Sequence, residues 1–531
     1  MKIKILFSLF LFIGIFLRFY QLGNLPNSYS PDELAQGYSA YSILKTGADE
    51  WGSSNFLSLK SFGDYKPPLQ TWLMIPSIQA FGLNPFAVRL PNALFSILSL
   101  ISIYFLSKKL FPKSNTIPII SFALFSVSPW SISMSRIALE ANLAVSLIIL
   151  GLTIFYYRQH LLAALLFSLS LYTYHSTKVF LPLFLPIIAI LQFKKKFIYF
   201  LLLVIIFCSP LFIFQPDGSR TSDIAIFNPT DKWTHVSDQR FTLTSNGLPD
   251  QLSRLLQNKV IYTIQKYAQS YLSYLSPQFL ITNGPGETTY GMIPDFGVIG
   301  IAASVGFISL IIYIFSQKKL ISQSLIILLS GILISPIPAA LAKGSYSANR
   351  ASLMLPFIII ASAVGISYLH KNYKNILYLL LFTEGLFFSL TYFHSANQVL
   401  AHGMLYGHQQ INQYITSLNP DKIIYSRKLS EPQAYYLFFQ SVDPHITQQE
   451  SIRWSEFQTK GLAFLDQLGE YNLNNVTFKE ISLPSDLKTP RTLIIGKPNE
   501  FLDTTPTHII YYPYFTKSEP AVYLYLTPDE I

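Results

Sequence analysis

MKIKILFSLFLFIGIFLRFYQLGNLPNSYSPDELAQGYSAYSILKTG (residues 1–47) poses the question on which the reading of this chain turns. Residues 5–17 carry no charge, and Lys2 and Lys4 precede them, the order that a secretory leader and a first membrane span share. A small-residue cleavage site is missing, so a retained span is expected. Directly beyond it the chain places two adjacent carboxylates, Asp32 and Glu33, just outside the hydrocarbon. Acids at that level are either solvated loop residues or the start of a site.

Outward from that stretch, composition decides the class. With 531 residues, of which 50% are hydrophobic, 15% aromatic and only 12% charged, the chain is too apolar for a soluble globule. It reads as a polytopic α-helical membrane protein. The net charge of +10 comes largely from short basic clusters between apolar runs, where lysine and arginine set topology rather than bind nucleic acid. The single cysteine, Cys208, lies inside an apolar run, which excludes an internal disulfide and a cysteine-based zinc site. Apolar runs near 1–20, 86–106, 117–134, 141–156, 161–174, 179–193, 197–214, 296–315, 321–341, 352–369 and 376–393 give about eleven spans. Residues 71–83 are apolar but too short to span, which predicts an interfacial or re-entrant helix.

Cytoplasmic loops hold the excess of basic residues. With the N-terminus inside, Lys108 and Lys109, Arg158 and His160, Lys194 to Lys196, Lys318 and Lys319, and Lys371 and Lys374 all fall on the inner face. The outer face receives the Asp32 loop, the 136–140 turn, the 175–178 turn, the long 215–295 segment, the 343–350 loop and the C-terminal tail. Asp32, Glu33, Arg136, Glu140, Lys178 and Arg350 therefore share one face. Ionisable residues at a membrane boundary are candidates for a functional site, although any one of them alone is equally a solvated loop charge. Lys66 joins them. Pro67 and Pro68 stiffen the chain behind it, and a held cation beside held carboxylates suits a phosphate-bearing ligand; the alternative is a lysine that snorkels to lipid headgroups.

Five stretches carry a family resemblance: SPDE (30–33), DYKPPLQTWL (64–73), NPFAVRLPNALF (84–95), SRIALEANLA (135–144) and LSLYTYHSTKVFLPL (169–183). Together they resemble the bacterial relatives of the protein O-mannosyltransferases and lipid A aminoarabinose transferases, polytopic GT-C glycosyltransferases that use polyprenyl-phosphate sugars. The resemblance covers the membrane part, most strongly residues 1–185. It implies a catalytic base at Asp32, with Glu33 as its neighbour in an acidic pair, a donor-phosphate lysine at Lys66, and an arginine and an acid at Arg136 and Glu140 facing the same cavity. Two departures stand out. NGPGETTYGMIPDFG (283–297) lies where many relatives have Arg-His-Gly, and YSANR (346–350) lacks a histidine before Arg350.

The chemistry is consistent with that implication. Sugar transfer from a lipid monophosphate needs a base for the acceptor hydroxyl and positive charge for the departing phosphate. Asp32 offers the first, with Glu33 and Glu140 beside it; Lys66, Arg136 or Arg350 offers the second. A single displacement through an oxocarbenium-like state inverts the anomeric centre, and neither a metal nor a cofactor is required. The expected partners are a polyprenyl-phosphate sugar donor, a lipid, glycan or protein acceptor, and the surrounding lipid. A transporter or lipid flippase would instead show paired repeats and broken helices at the midplane, and a scaffold gives no reason for the Asp32, Lys66 and Glu140 arrangement.

Two outer segments complete the expectation. KVIYTIQKYAQSYLSYLSP (259–277) has apolar residues at helical spacing and reads as an amphipathic surface helix or a core-packing one. From residue 394 the chain turns polar, and DKIIYS, RTLIIG, THIIYYPYF and AVYLYL are strand-like runs. The expected organisation is a transmembrane domain over 1–393, with a catalytic first outer loop at 21–85, and a small extracytoplasmic α/β domain over 394–531.

Overall fold

Inside hydrocarbon no water satisfies a backbone N–H or C=O, so an apolar run must close its hydrogen bonds within itself. In the computed structural model, which describes residues 2–61, 64–193, 197–213, 225–226, 233–316, 322–344, 346–462, 465–502 and 504–528, each expected apolar run is helical over its described length or most of it. The first half of the bundle is α1 (Lys2–Phe19), α4 (Pro85–Leu110), α5 (Thr116–Val127), α6 (Pro129–Ser135), α7 (Glu140–Tyr156), α8 (His160–Leu171), α9 (His175–Phe193) and α10 (Phe197–Ile213). The second half contains the helices Gly300–Ser316, Gln323–Ile334, Leu355–Tyr368 and Lys371–Val399. Among the described residues, five helices are long and apolar enough to cross a bilayer, or six if the bent pair α5 and α6 counts as one span. That pair is bent by 55° where Pro129 cannot donate a backbone hydrogen bond and the Ser128 hydroxyl caps the second helix. The lysine clusters at 194–196 and 318–319 lie outside the described residues.

Between α1 and α4, α2 (Pro31–Thr46), the hairpin of β1 (Leu59–Ser61) and β2 (Asp64–Lys66), and α3 (Leu69–Phe81) stand at one end of the bundle. The 13 residues of α3 reach only about 20 Å at 1.5 Å per residue, too short to span. The helix Lys259–Ser273 forms as expected and has no buried residue; Val260 and Ile264 are 66% and 59% exposed, so it is a surface helix rather than a core one.

Towards the C-terminus a six-stranded mixed sheet has the order β4-β5-β3-β6-β8-β7. Its strands are β3 (Lys422–Ser426), β4 (Tyr471–Leu473), β5 (Val476–Lys479), β6 (Thr492–Gly496), β7 (His508–Tyr511) and β8 (Pro520–Leu526). β3 is parallel to β5 and β6; the remaining pairs are antiparallel. The four strand-like runs became β3, β6, β7 and β8. The hairpin of β4 and β5 had no clear sequence signal, because its strands are short; it turns at Asn474, whose φ is 54°. The helix Lys371–Val399 runs unbroken through residue 394. The sheet does not stand apart from the first loop: Tyr425, Val476, Phe478 and Leu493 share one buried cluster with Leu34 and Tyr38 of α2, Met74 of α3 and Val88 of α4.

Candidate active site

α2 begins at Ser30, whose backbone is extended (φ −70°, ψ 138°), with Pro31 in the first turn. Proline is preorganised there, and carboxylates in the first turn complement the positive end of the helix. Successive helical residues diverge by roughly 100°, so Asp32 and Glu33 meet different surroundings despite being neighbours.

Glu33 points inwards and is fully engaged. It accepts from the Ser30 N–H (3.2 Å), the Ala138 N–H (3.2 Å), Arg89 Nε (3.1 Å) and Arg89 Nη2 (2.9 Å). Arg89, on α4, spends its other donors on the carbonyls of Leu22 (3.3 Å), Pro26 (2.9 Å) and Ser28 (3.1 Å). Both side chains are buried. The pair ties the chain between α1 and α2 to the bundle, and it leaves the Glu33 carboxylate no lone pair for a substrate proton.

Asp32 points the other way and forms an ion pair with Lys66 at 2.9 Å; the two side chains stay 29% and 16% exposed. Lys66 is the last residue of β2, so the hairpin and the two prolines after it deliver the ammonium. One turn along from Asp32 on the same face, Gln36 Nε2 donates to Glu140 Oε1 at 2.9 Å. Glu140 opens α7 and lies within electrostatic reach of both Lys66 and Asp32. The structure therefore brings Asp32, Lys66 and Glu140 together from three separate stretches of chain.

The 283–297 loop closes a further side. Tyr290 interacts electrostatically with Asp32, Glu287, Lys66 and Arg350, and burial together with the two carboxylates pushes its phenol up to about 12. Glu287 accepts from the Ala348 N–H at 2.8 Å, and burial pushes its carboxyl up to about 7 against the opposing influence of that N–H, Ser347 and Arg350. Arg350 Nη1 donates to the Lys343 carbonyl at 2.6 Å, and its charge reaches Tyr174, Glu287 and Tyr290. Arg350 thus belongs to the cluster.

Arg136 does not. It is buried, donates to the carbonyls of Leu17 (2.9 Å), Tyr20 (2.7 Å) and Leu25 (3.0 Å), and lies over the rings of Phe393 and Tyr392 at 5.1 and 5.4 Å. Its guanidinium braces the C-terminal end of α1. Of the six residues given a catalytic or phosphate-binding role above, the structure thus gathers Asp32, Glu140, Lys66 and Arg350 and holds Glu33 and Arg136 away as internal ties. Sequence reading missed Gln36, Tyr174, Glu287 and Tyr290. Gln36 had a usable signal, four residues beyond Asp32; the other three have none without the tertiary fold. Among the described residues no three His, Cys, Asp or Glu side chains group as metal ligands would.

The chain matches no protein-family model and no curated protein sequence. Solved structures do resemble it. The ArnT protein of Cupriavidus metallidurans bound to undecaprenyl phosphate aligns over 97% of both chains at 10% identity with a TM-score of 0.52. The apo form of the same protein aligns over 97% of both at 11% identity and a TM-score of 0.44. An oligosaccharyltransferase of Archaeoglobus fulgidus tethered to an acceptor peptide aligns over 82% of this chain and 59% of its own at 12% identity and 0.47. The end-to-end correspondence with the first of these shows a shared fold, that of the GT-C type, and the chain's own long apolar helices make it a membrane protein.

Proposed function

We propose that this protein is an integral-membrane glycosyltransferase that moves a sugar from a polyprenyl-phosphate donor to a hydroxyl acceptor on the extracytoplasmic face of the cell membrane, with about eleven spans and a C-terminal domain on that same face. The observation that carries the reading is the Asp32–Lys66 ion pair at 2.9 Å, set in a partly exposed cluster with Glu140 and Arg350. The solved ArnT structure that shares the fold holds undecaprenyl phosphate, a lipid of the class proposed here as carrier.

In this mechanism the donor phosphate draws Lys66 away from Asp32, assisted by Arg350, so that donor binding itself releases the base. Asp32 then takes the proton of the acceptor hydroxyl as its oxygen bonds to the anomeric carbon. The bond from that carbon to the phosphate oxygen breaks on the opposite side, the electron pair leaves with the phosphate, and configuration inverts. Glu140, held by Gln36, supplies negative charge beside the developing oxocarbenium ion. Glu33 and Arg89 hold the helix that presents Asp32.

The test is to incubate purified protein in lipid with a panel of radiolabelled polyprenyl-phosphate sugars and follow loss of label from the carrier. Asp32→Asn keeps the shape and should retain donor binding while losing roughly 10²- to 10⁴-fold in turnover. Full activity in Asp32→Asn, or label retained on every donor by the wild-type protein, overturns the reading.

A further inference from the structure

The face of α2 that carries Asp32 and Gln36 looks into the cluster. Its remaining faces pack on α3 and on the C-terminal part of the chain, and the hydrogen bonds from the latter join residues 406 and 404 positions apart. The Tyr435 hydroxyl donates to the Tyr29 carbonyl at 2.7 Å, immediately before the Ser30 cap. The Tyr38 hydroxyl donates to the Val442 carbonyl at 2.9 Å and lies 2.7 Å from Thr447 Oγ1. Gln448 Nε2 donates to Thr46 Oγ1 at 2.8 Å, the Asp49 carbonyl at 3.0 Å and Ser42 Oγ at 3.1 Å. Between these bonds the backbone comes close: a Cβ on Gly37 would stand 3.0 Å from the Phe438 ring and 2.6 Å from Val88 of α4.

Tyr435 is itself fixed from behind. Its ring stacks on His408 at 3.8 Å between centroids, and His408 is bonded through its two ring nitrogens to the Tyr425 hydroxyl (2.7 Å) and the Leu429 carbonyl (3.0 Å). Tyr425 lies on β3. A continuous line of buried contacts therefore runs from the central strand of the sheet, through His408 and Tyr435, to the carbonyl three residues before Asp32.

We infer that the C-terminal domain sets the position of the catalytic helix, with Tyr435 as the positioning residue that fixes the N-terminal turn of α2 and hence the place of Asp32. The domain's role is then neither remote stability nor acceptor capture alone. A catalytic group must be held within a fraction of an ångström by packing and hydrogen bonds around it, and α2, already tied to the bundle through Glu33, draws the rest of that rigidity from the C-terminal domain. The kinetic consequence rests on the transferase reading; the structural one does not.

Tyr435→Phe removes one hydroxyl and keeps the ring stacked on His408, and Tyr436→Phe is its control, because the Tyr436 hydroxyl points to Asn475 (3.4 Å) within the same region. Four quantities are measured on each full-length protein in lipid: kcat, donor KM, melting temperature, and hydrogen exchange of the amides in residues 29–36. Tyr435→Phe should lose about five- to tenfold in kcat, the effect of one lost hydrogen bond on an aligned group, with donor KM within about twofold. Exchange in 29–36 should accelerate, and Tyr436→Phe should match the wild type in both respects. Wild-type kcat and wild-type exchange in Tyr435→Phe, or equal losses in both variants, overturn the inference. If the wild-type protein transfers no sugar, the exchange arm alone decides: faster exchange in 29–36 supports positioning by the domain, and unchanged exchange overturns it.

Discussion

Replacing Glu33 with glutamine separates the two members of the acidic pair, because the structure assigns them opposite consequences. The amide that replaces the carboxylate keeps one acceptor oxygen. Whichever way it turns, its NH₂ faces two donors: Arg89 Nη2 and the Ser30 N–H at one position, Arg89 Nε and the Ala138 N–H at the other. Hydrogen bonds to charged groups contribute about 1.5–3 kcal/mol each, and removing one side of a buried ion pair costs about 3–5 kcal/mol. The two figures describe the same loss and agree on about 3–5 kcal/mol, a large share of the roughly 5–15 kcal/mol that holds a typical domain folded. Glu33→Gln should lower both yield and melting temperature in detergent, while the surviving folded molecules turn over within a few-fold of the wild type. A Glu33→Gln protein that melts like the wild type but loses 10²- to 10⁴-fold in kcat, the loss expected of a base, would refute the assignment of Glu33 as a brace and of Asp32 as the proton acceptor.

Lys66→Ala should raise the donor KM by tenfold or more with little loss of stability, since the ammonium is partly exposed and its partner Asp32 stays hydrated. Arg136→Ala should do the reverse, costing about 2–5 kcal/mol because three carbonyls lose their donor, with donor KM unchanged; titrating donor concentration in both variants checks the pair. Glu50, buried where the segment after α2 meets Gln433 and Trp454, has its carboxyl pushed up to about 8 by burial first and by neighbouring Asp49 second. The folded state therefore holds this proton more tightly than the unfolded chain, so the stability it contributes is complete below about pH 4.5 and lost as pH rises to about 8. Melting temperatures across that interval should fall in the wild type and stay flatter in Glu50→Gln; equal slopes would exclude this group as the cause.

Glu33 and Arg136 show why sequence reading placed two residues in the wrong surroundings. Both stand beside true members of the cluster, Glu33 next to Asp32 and Arg136 four residues before Glu140. Sidedness assigns a loop to one face of a membrane, yet it says nothing about which way a side chain turns within that loop. For Glu33 one step of about 100° along α2 is decisive. For Arg136, the break after α6 directs the guanidinium to the end of α1.

By itself, the sequence determined the class of the protein, the positions of its apolar helices, the polar C-terminal part with most of its strands, and the stretches that hold Asp32, Lys66, Glu140 and Arg350. Those properties follow from local causes. Hydrocarbon forces each apolar run to satisfy its own backbone, alternating polarity marks a strand, and proline beside a charge limits where that charge can go. Only the tertiary structure decided which charges meet. The contacts of Gln36 with Glu140, Arg89 with Glu33, and Tyr435 with the turn before Asp32 join residues 104, 56 and 406 positions apart. Such contacts arise from the packing of α2 between the bundle and the sheet, and no periodicity within a single segment encodes them.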